Sequence, residues 1–111
     1  VRPNGAYAVG KVTAEAAGRL MADRYDLSVI ALRIGTVRAA DRPENLRHLS
    51  TLLTRRDLVH LVEQCIDAPD DVRFATFYGV SANTWRIWDI SDARAVIGYE
   101  PVDDAERWRP Q

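Results

Sequence analysis

The apolar positions of this 111-residue chain change period as it proceeds, and the changes predict helix, strand, helix, strand, helix. Val9, Val12, Ala16 and Leu20 recur at three- and four-residue spacing, which predicts a helix over 7–24 with one burying stripe. Ala14, Ala17 and Gly18 give it a second face of small residues, on which a neighbouring helix could approach closely. At 27–34 the period is lost: Val29, Ile30, Ala31 and Leu32 form a near-continuous apolar run, as expected of a parallel strand covered on both faces. The polar residues of 38–51 predict a solvated connection. Thr54 reads as an N-cap with Asp57 three residues on. The helix it opens carries Leu58, Leu61, Val62, Cys65 and Ile66 on one side and stops before Pro69, whose nitrogen has no proton to donate. Phe-Ala-Thr-Phe-Tyr at 74–78 predicts a second strand, with 79–83 as its exit loop. Ser91 is placed to cap a short helix with Ala93, Val96 and Ile97 inward, and Gly98 to end it. In the tail, Asp103, Asp104 and Glu106 read as solvated surface, and Trp108 reads either as an anchor or as the mark of a longer chain's cut end.

Composition bounds this α/β reading. At 47% apolar residues the chain can form one modest core. Fifteen basic against sixteen acidic residues leave no electrostatic footprint for nucleic acid or an anionic membrane. The one cysteine, Cys65, excludes an internal disulfide and reads as a buried thiol. No apolar run reaches a transmembrane length and no signal-peptide layout opens the chain, so the cytoplasm is the default expectation.

The candidate chemistry begins at Tyr7 and Lys11. Four residues apart on a helix, phenol and ammonium share a face. A cation beside a phenol favours the phenolate and makes a proton acceptor, although helices also carry such pairs simply as solvated surface. Ligands in α/β sheets gather beyond the carboxyl ends of strands, which puts Gly35, Thr36 and Val37 in position to line a site. Arg33, near the end of the first strand, also reads as a charge emerging at a sheet edge. Arg47 is either a surface cation or a planar grip for a carboxylate. His48 and His60 lack ligand-type neighbours at metal spacing, so no zinc site is indicated. Trp85 and Trp88 suit either stacking on a ligand or packing beneath the loop.

Tyr-x-x-x-Lys on a helix, followed by a strand ending Leu32-Arg33-Ile34-Gly35, resembles the second half of an extended short-chain dehydrogenase/reductase of the NAD-dependent epimerase/dehydratase family. Within that family the likeness is to the branch that oxidises uronic acids. It extends to Arg-x-Leu-Ser-Thr at 47–51, Arg-Arg-Asp-Leu-Val at 55–59, Tyr-Gly-Val-Ser-Ala-Asn at 78–83, Trp88-Asp89 and Gly-Tyr-Glu-Pro at 98–101. The resemblance implies the C-terminal portion, over 1–111, of a Rossmann-like doubly wound parallel sheet. In the complete enzyme it implies NAD-dependent oxidation of a uronic acid at C1 to the aldarolactone. Tyr7 would be the general base, and Lys11 would lower its pKa and hold the nicotinamide ribose. Tyr7, Lys11 and Ile34 would contact NAD, and Thr36 and Arg47 the substrate. A sugar-nucleotide epimerase or dehydratase using the same Tyr7 and Lys11 is the alternative.

The sequence also departs from the family pattern. The glycine-rich phosphate loop, the acidic residue for the adenosine ribose and a substrate-orienting Ser or Thr precede the Tyr-Lys helix in the family, and these 111 residues contain none of them. Gly10 stands where relatives usually carry Ser, which weakens the helix slightly. The resemblance thus implies a fragment that binds NAD weakly or not at all by itself and is inactive alone. Its uncovered strand edge and small-residue helix face lead us to expect a homo-oligomer.

Overall fold

The computed structural model describes residues 2–110, which divide into two compact units: 2–31 with 70–76, and 32–69 with 77–110. The element order is α1 (Ala6–Arg24), β1 (Val29–Ile34), α2 (His48–Thr51), α3 (Arg55–Ile66), β2 (Phe74–Gly79), α4 (Ser91–Ile97) and a closing 3-10 turn, Ala105–Trp108. β1 and β2 pair in a two-stranded parallel sheet. Val29 N–H meets the Arg73 carbonyl at 2.9 Å and Gly35 N–H the Gly79 carbonyl at 2.8 Å, the same sequence offset at both ends, so the register is unbroken. Helices connecting parallel strands are the signature of an α/β fold, and this is part of a Rossmann-like one.

In the first unit, α1 meets the strand at Gly18, while Ala14 and Ala17 of the predicted small face are exposed. A Cβ added at Gly18 would lie 2.9 Å from the Val29 side chain and 3.8 Å from Phe74, so glycine there sets how closely helix and strand meet. Arg19 places its guanidinium 5.1 Å from the centre of the Phe74 ring. The other predicted face is a correction: Val9, Val12 and Leu20 are exposed, and Ala22 alone of this helix is buried. β1 is likewise half-buried along its length, with exposed residues at its end, rather than covered on both faces.

In the second unit, Leu52, Leu53, Leu61, Phe77, Val80, Ile90 and Ile97 are buried. Thr54 caps α3 as predicted, its hydroxyl accepting from Asp57 N–H. Only Asp57 and Leu61 of that helix are buried; Val62 and Ile66 stay exposed and Cys65 is half-buried, its thiol pushed up in pKa by desolvation. α4 begins one residue differently from the prediction. Ile90 is the boundary residue, and Asp89 takes the capping role by accepting from both the amide and hydroxyl of Ser91. Gly98 ends α4 at φ 70°, the left-handed conformation that a side chain disfavours.

The tail corrects the sequence reading most. Asp103 is buried, where Thr54 Oγ1 donates to it at 2.6 Å and Arg56 and Arg107 pair with it. Asp57 accepts from the amides of Val102 and Asp103, and Asn83 accepts from Ala105 N–H while donating to the Leu52 carbonyl. Tyr99 is fully buried and donates to the Val80 carbonyl; its phenol is pushed up in pKa by burial and then by the Asp57 carboxylate. Trp108 does anchor the tail, against Leu49, Leu52 and Ala105.

Asp103 gives the unit an acid-sensitive link. Burial would raise its pKa, but Arg56, Thr54 and Arg107 outweigh burial and hold the carboxyl below its usual range. A folded-state pKa below the unfolded value means stability that is present above about pH 4 and lost as pH falls through the depressed value. Asp103→Asn is expected to cost about 1–3 kcal/mol at neutral pH and to flatten stability across the acid range. Urea unfolding of both proteins between pH 7 and pH 3 checks this; parallel pH profiles would contradict it.

Candidate functional site

The residues singled out from the sequence fall in separate units: Tyr7 and Lys11 in the first, and Ile34, Thr36 and Arg47 in the second. Tyr7 and Lys11 sit in the first turns of α1, where helical geometry alone makes them neighbours. Lys11 Nζ lies 5.2 Å from the centre of the Tyr7 ring. Tyr7 is 79% exposed, so its hydroxyl is open to a reacting partner. The pair has the composition of a proton acceptor with an adjacent cation.

In the second unit the strand-end residues are held by backbone. Ile34 ends β1 with its side chain 49% exposed. The chain then passes so close to Thr51 that a Cβ at Gly35 would lie 2.0 Å from the Thr51 carbonyl oxygen. Thr36 N–H donates to that same carbonyl at 2.7 Å, and the Thr36 carbonyl accepts from Leu53 N–H at 2.8 Å, so Thr36 and Leu52 form a parallel bridge. Thr36 is therefore fixed beyond the carboxyl end of β1, where such sheets bind ligands.

Arg47 lies at the N-terminal boundary of α2, a helix that the sequence reading of 38–51 as a connection missed. Its guanidinium is exposed and makes no ion pair with the described residues. Arg38 pairs with Glu44 in the same segment, and Asp41 accepts from Arg55 N–H, so the loop is braced on both sides of its bend. His48 accepts from Glu44 N–H and His60 from Glu100 N–H; both are structural acceptors, and among the described residues no His, Cys, Asp and Glu group could hold a metal.

Thr36 and Arg47 are joined through Thr51, which the sequence marks as the end of the Arg-x-Leu-Ser-Thr motif without giving it a role. Thr51 is buried, its Oγ1 2.9 Å from Thr36 Oγ1 and 3.3 Å from the Arg47 carbonyl. The signal was present in the four-residue spacing of Arg47 and Thr51, since a helical Thr hydroxyl bonds the carbonyl four residues back. It could be read only once 47–51 was known to turn as a helix. Trp88 stacks parallel to Tyr78 at 6.0 Å between ring centres, and Arg33 packs over the same Tyr78 ring, so this tryptophan has a partner within the fold. Trp85 is exposed, with the Arg109 guanidinium 5.6 Å from its ring.

Comparison with known proteins gives these residues a context. No family model matches the chain. It is 38% identical over 105 residues to an NAD-dependent glucose-6-phosphate dehydrogenase of Haloferax volcanii, covering 94% of this chain and 39% of that protein. It is 36% identical over 108 residues to a uronate dehydrogenase of Pseudomonas putida, covering 97% of this chain and again 39% of the relative. Among solved structures it resembles uronate dehydrogenase from Agrobacterium tumefaciens with a TM-score of 0.87 at 33% identity, over 97% of this chain and 39% of that one. A tyrosine-to-alanine variant of that enzyme complexed with NAD gives the same TM-score. The chain is thus homologous, along nearly its whole length, to part of the extended short-chain sugar and sugar-acid dehydrogenases, and spans about two-fifths of the relatives it matches.

Proposed function

We propose that this chain is the catalytic-helix and substrate-side portion of an NAD-dependent dehydrogenase that oxidises a uronic acid at C1 to the aldarolactone. The observation that carries the reading is the homology to uronate dehydrogenases over 97% of the chain, which includes the Tyr7–Lys11 pair on α1. Tyr7 takes the proton from the C1 hydroxyl. Lys11 stabilises the phenolate and reaches the nicotinamide ribose, and Ile34 lies against the cofactor at the end of β1. Arg47, exposed and in no ion pair with the described residues, grips the sugar carboxylate in two-pronged fashion, and Thr36 bonds a sugar hydroxyl. NAD, when bound, supplies the hydride acceptor; this chain contributes the base, its cation and the substrate contacts.

The relatives frame the test, because glucose 6-phosphate and a uronate both carry an anion at the sixth carbon. NADH formation is to be measured for the natural gene product that carries these 111 residues. Its substrates are glucuronate, galacturonate, glucose 6-phosphate and glucose. The uronates are expected to be fastest. Arg47→Ala is expected to lose about 2–5 kcal/mol in kcat/KM on uronates, with Arg47→Lys intermediate because a point charge cannot reproduce the planar contact. Equal rates on glucose, or an Arg47→Lys variant as active as the parent, would overturn the carboxylate role. A faster reaction on glucose 6-phosphate would reassign Arg47 to a phosphate.

A further inference from the structure

The geometry points to Thr51 as a positioning residue that presents the Thr36 hydroxyl to the sugar as a hydrogen-bond acceptor. This deepens the proposed function and rests on it. Thr51 is itself buried and cannot reach substrate, but it grips both proposed substrate residues.

Two hydroxyl protons must be placed among three oxygens. The Thr51 hydroxyl is buried, so its proton needs an acceptor inside the protein. The two within reach are the Arg47 carbonyl at 3.3 Å and Thr36 Oγ1 at 2.9 Å. If Thr51 donated to Thr36, the contact to the Arg47 carbonyl would lapse and the half-buried Thr36 proton, with no acceptor among the described residues, would depend on solvent. Donation in the other sense, Thr36 to Thr51 and Thr51 to the Arg47 carbonyl, satisfies both protons. It leaves Thr36 Oγ1 with its lone pairs free and its proton committed. A sugar hydroxyl at this point must therefore donate, and an ether or deoxy position is rejected. The backbone reinforces the arrangement, since the Thr51 carbonyl accepts from Thr36 N–H at 2.7 Å and keeps the two side chains in register. The same hydrogen bond to the Arg47 carbonyl ties the anion-gripping residue to the hydroxyl-binding one.

The test is steady-state kinetics of the natural gene product with glucuronate and NAD. Thr51→Val keeps the shape and removes the hydroxyl. It is expected to raise the KM for glucuronate roughly tenfold, with kcat and the KM for NAD within about twofold of the parent. Thr51→Ser, which keeps the hydroxyl, is expected to restore the parental KM. In a Thr36→Val background, Thr51→Val is expected to add nothing, because the group it positions is already gone. If Thr51→Val does not fold, Thr51→Ala against Thr51→Ser carries the same comparison. A parental KM in Thr51→Val, a Thr51→Ser variant as impaired as Thr51→Val, or additive effects in the Thr36→Val background would overturn the positioning role while the uronate activity stands. A parent with no turnover of any uronate would overturn the functional reading and this inference together.

Discussion

Tyr7→Phe is expected to lower kcat of the natural gene product on uronates by about 10²–10⁴-fold, the span attributed to a positioned general base. The substitution removes one oxygen and keeps the ring, so the contact with Lys11, 5.2 Å from the ring centre, survives. With the side chain 79% exposed at the start of α1, neither helix nor core is expected to respond, and the melting temperature should stay at the parental value. NAD affinity should be nearly unchanged for the same reason. Single-turnover kinetics together with NAD titration separate these quantities. Parental turnover in Tyr7→Phe would remove Tyr7 from the chemistry.

Gly35→Ala is expected to be the most damaging single substitution for folding. The new methyl carbon would stand 2.0 Å from the Thr51 carbonyl oxygen, and backbone cannot move aside as a flexible side chain can. Relief requires separating the two segments, which breaks Thr36 N–H to Thr51 and Leu53 N–H to Thr36. Overpacking of this kind costs about 1–3 kcal/mol and occasionally more, and the lost hydrogen bonds add to it. Gly10→Ala is the contrasting control: nothing lies within 4 Å of its added carbon, so helix propensity alone decides and the protein gains up to about 1 kcal/mol. Urea unfolding of the two variants should move in opposite directions. A Gly35→Ala protein as stable as its parent would contradict the close approach of residue 35 to the Thr51 carbonyl.

The longer elements were legible in the chain, though α2 and the closing 3-10 turn were not. The helix predicted over 7–24 is Ala6–Arg24, the strands fall within a residue or two of their predicted places, and Thr54 caps α3. Each of these depends on neighbours within about four residues: apolar spacing, a capping hydroxyl, a proline that stops a helix. The Tyr7–Lys11 pairing belongs with them, since helical geometry makes it local.

Burial and long-range hydrogen bonding were decided only by the tertiary structure. Val9, Val12 and Leu20 have the spacing of a buried stripe and are exposed, because periodicity says which residues share a face but not what covers it. Asp103 has the composition of a surface acid and is buried, because Thr54 and Arg56, more than forty residues away in sequence, come to rest against it. Thr36 and Thr51 meet through a parallel bridge between segments fifteen residues apart, which also brings Thr51 Oγ1 within 3.3 Å of the Arg47 carbonyl. The local pattern determined the three longer helices, both strands and one pair of chemical groups. Which polar atoms find partners was left to the folded backbone, because a hydrogen bond depends on distance in space and local sequence spacing does not encode that distance.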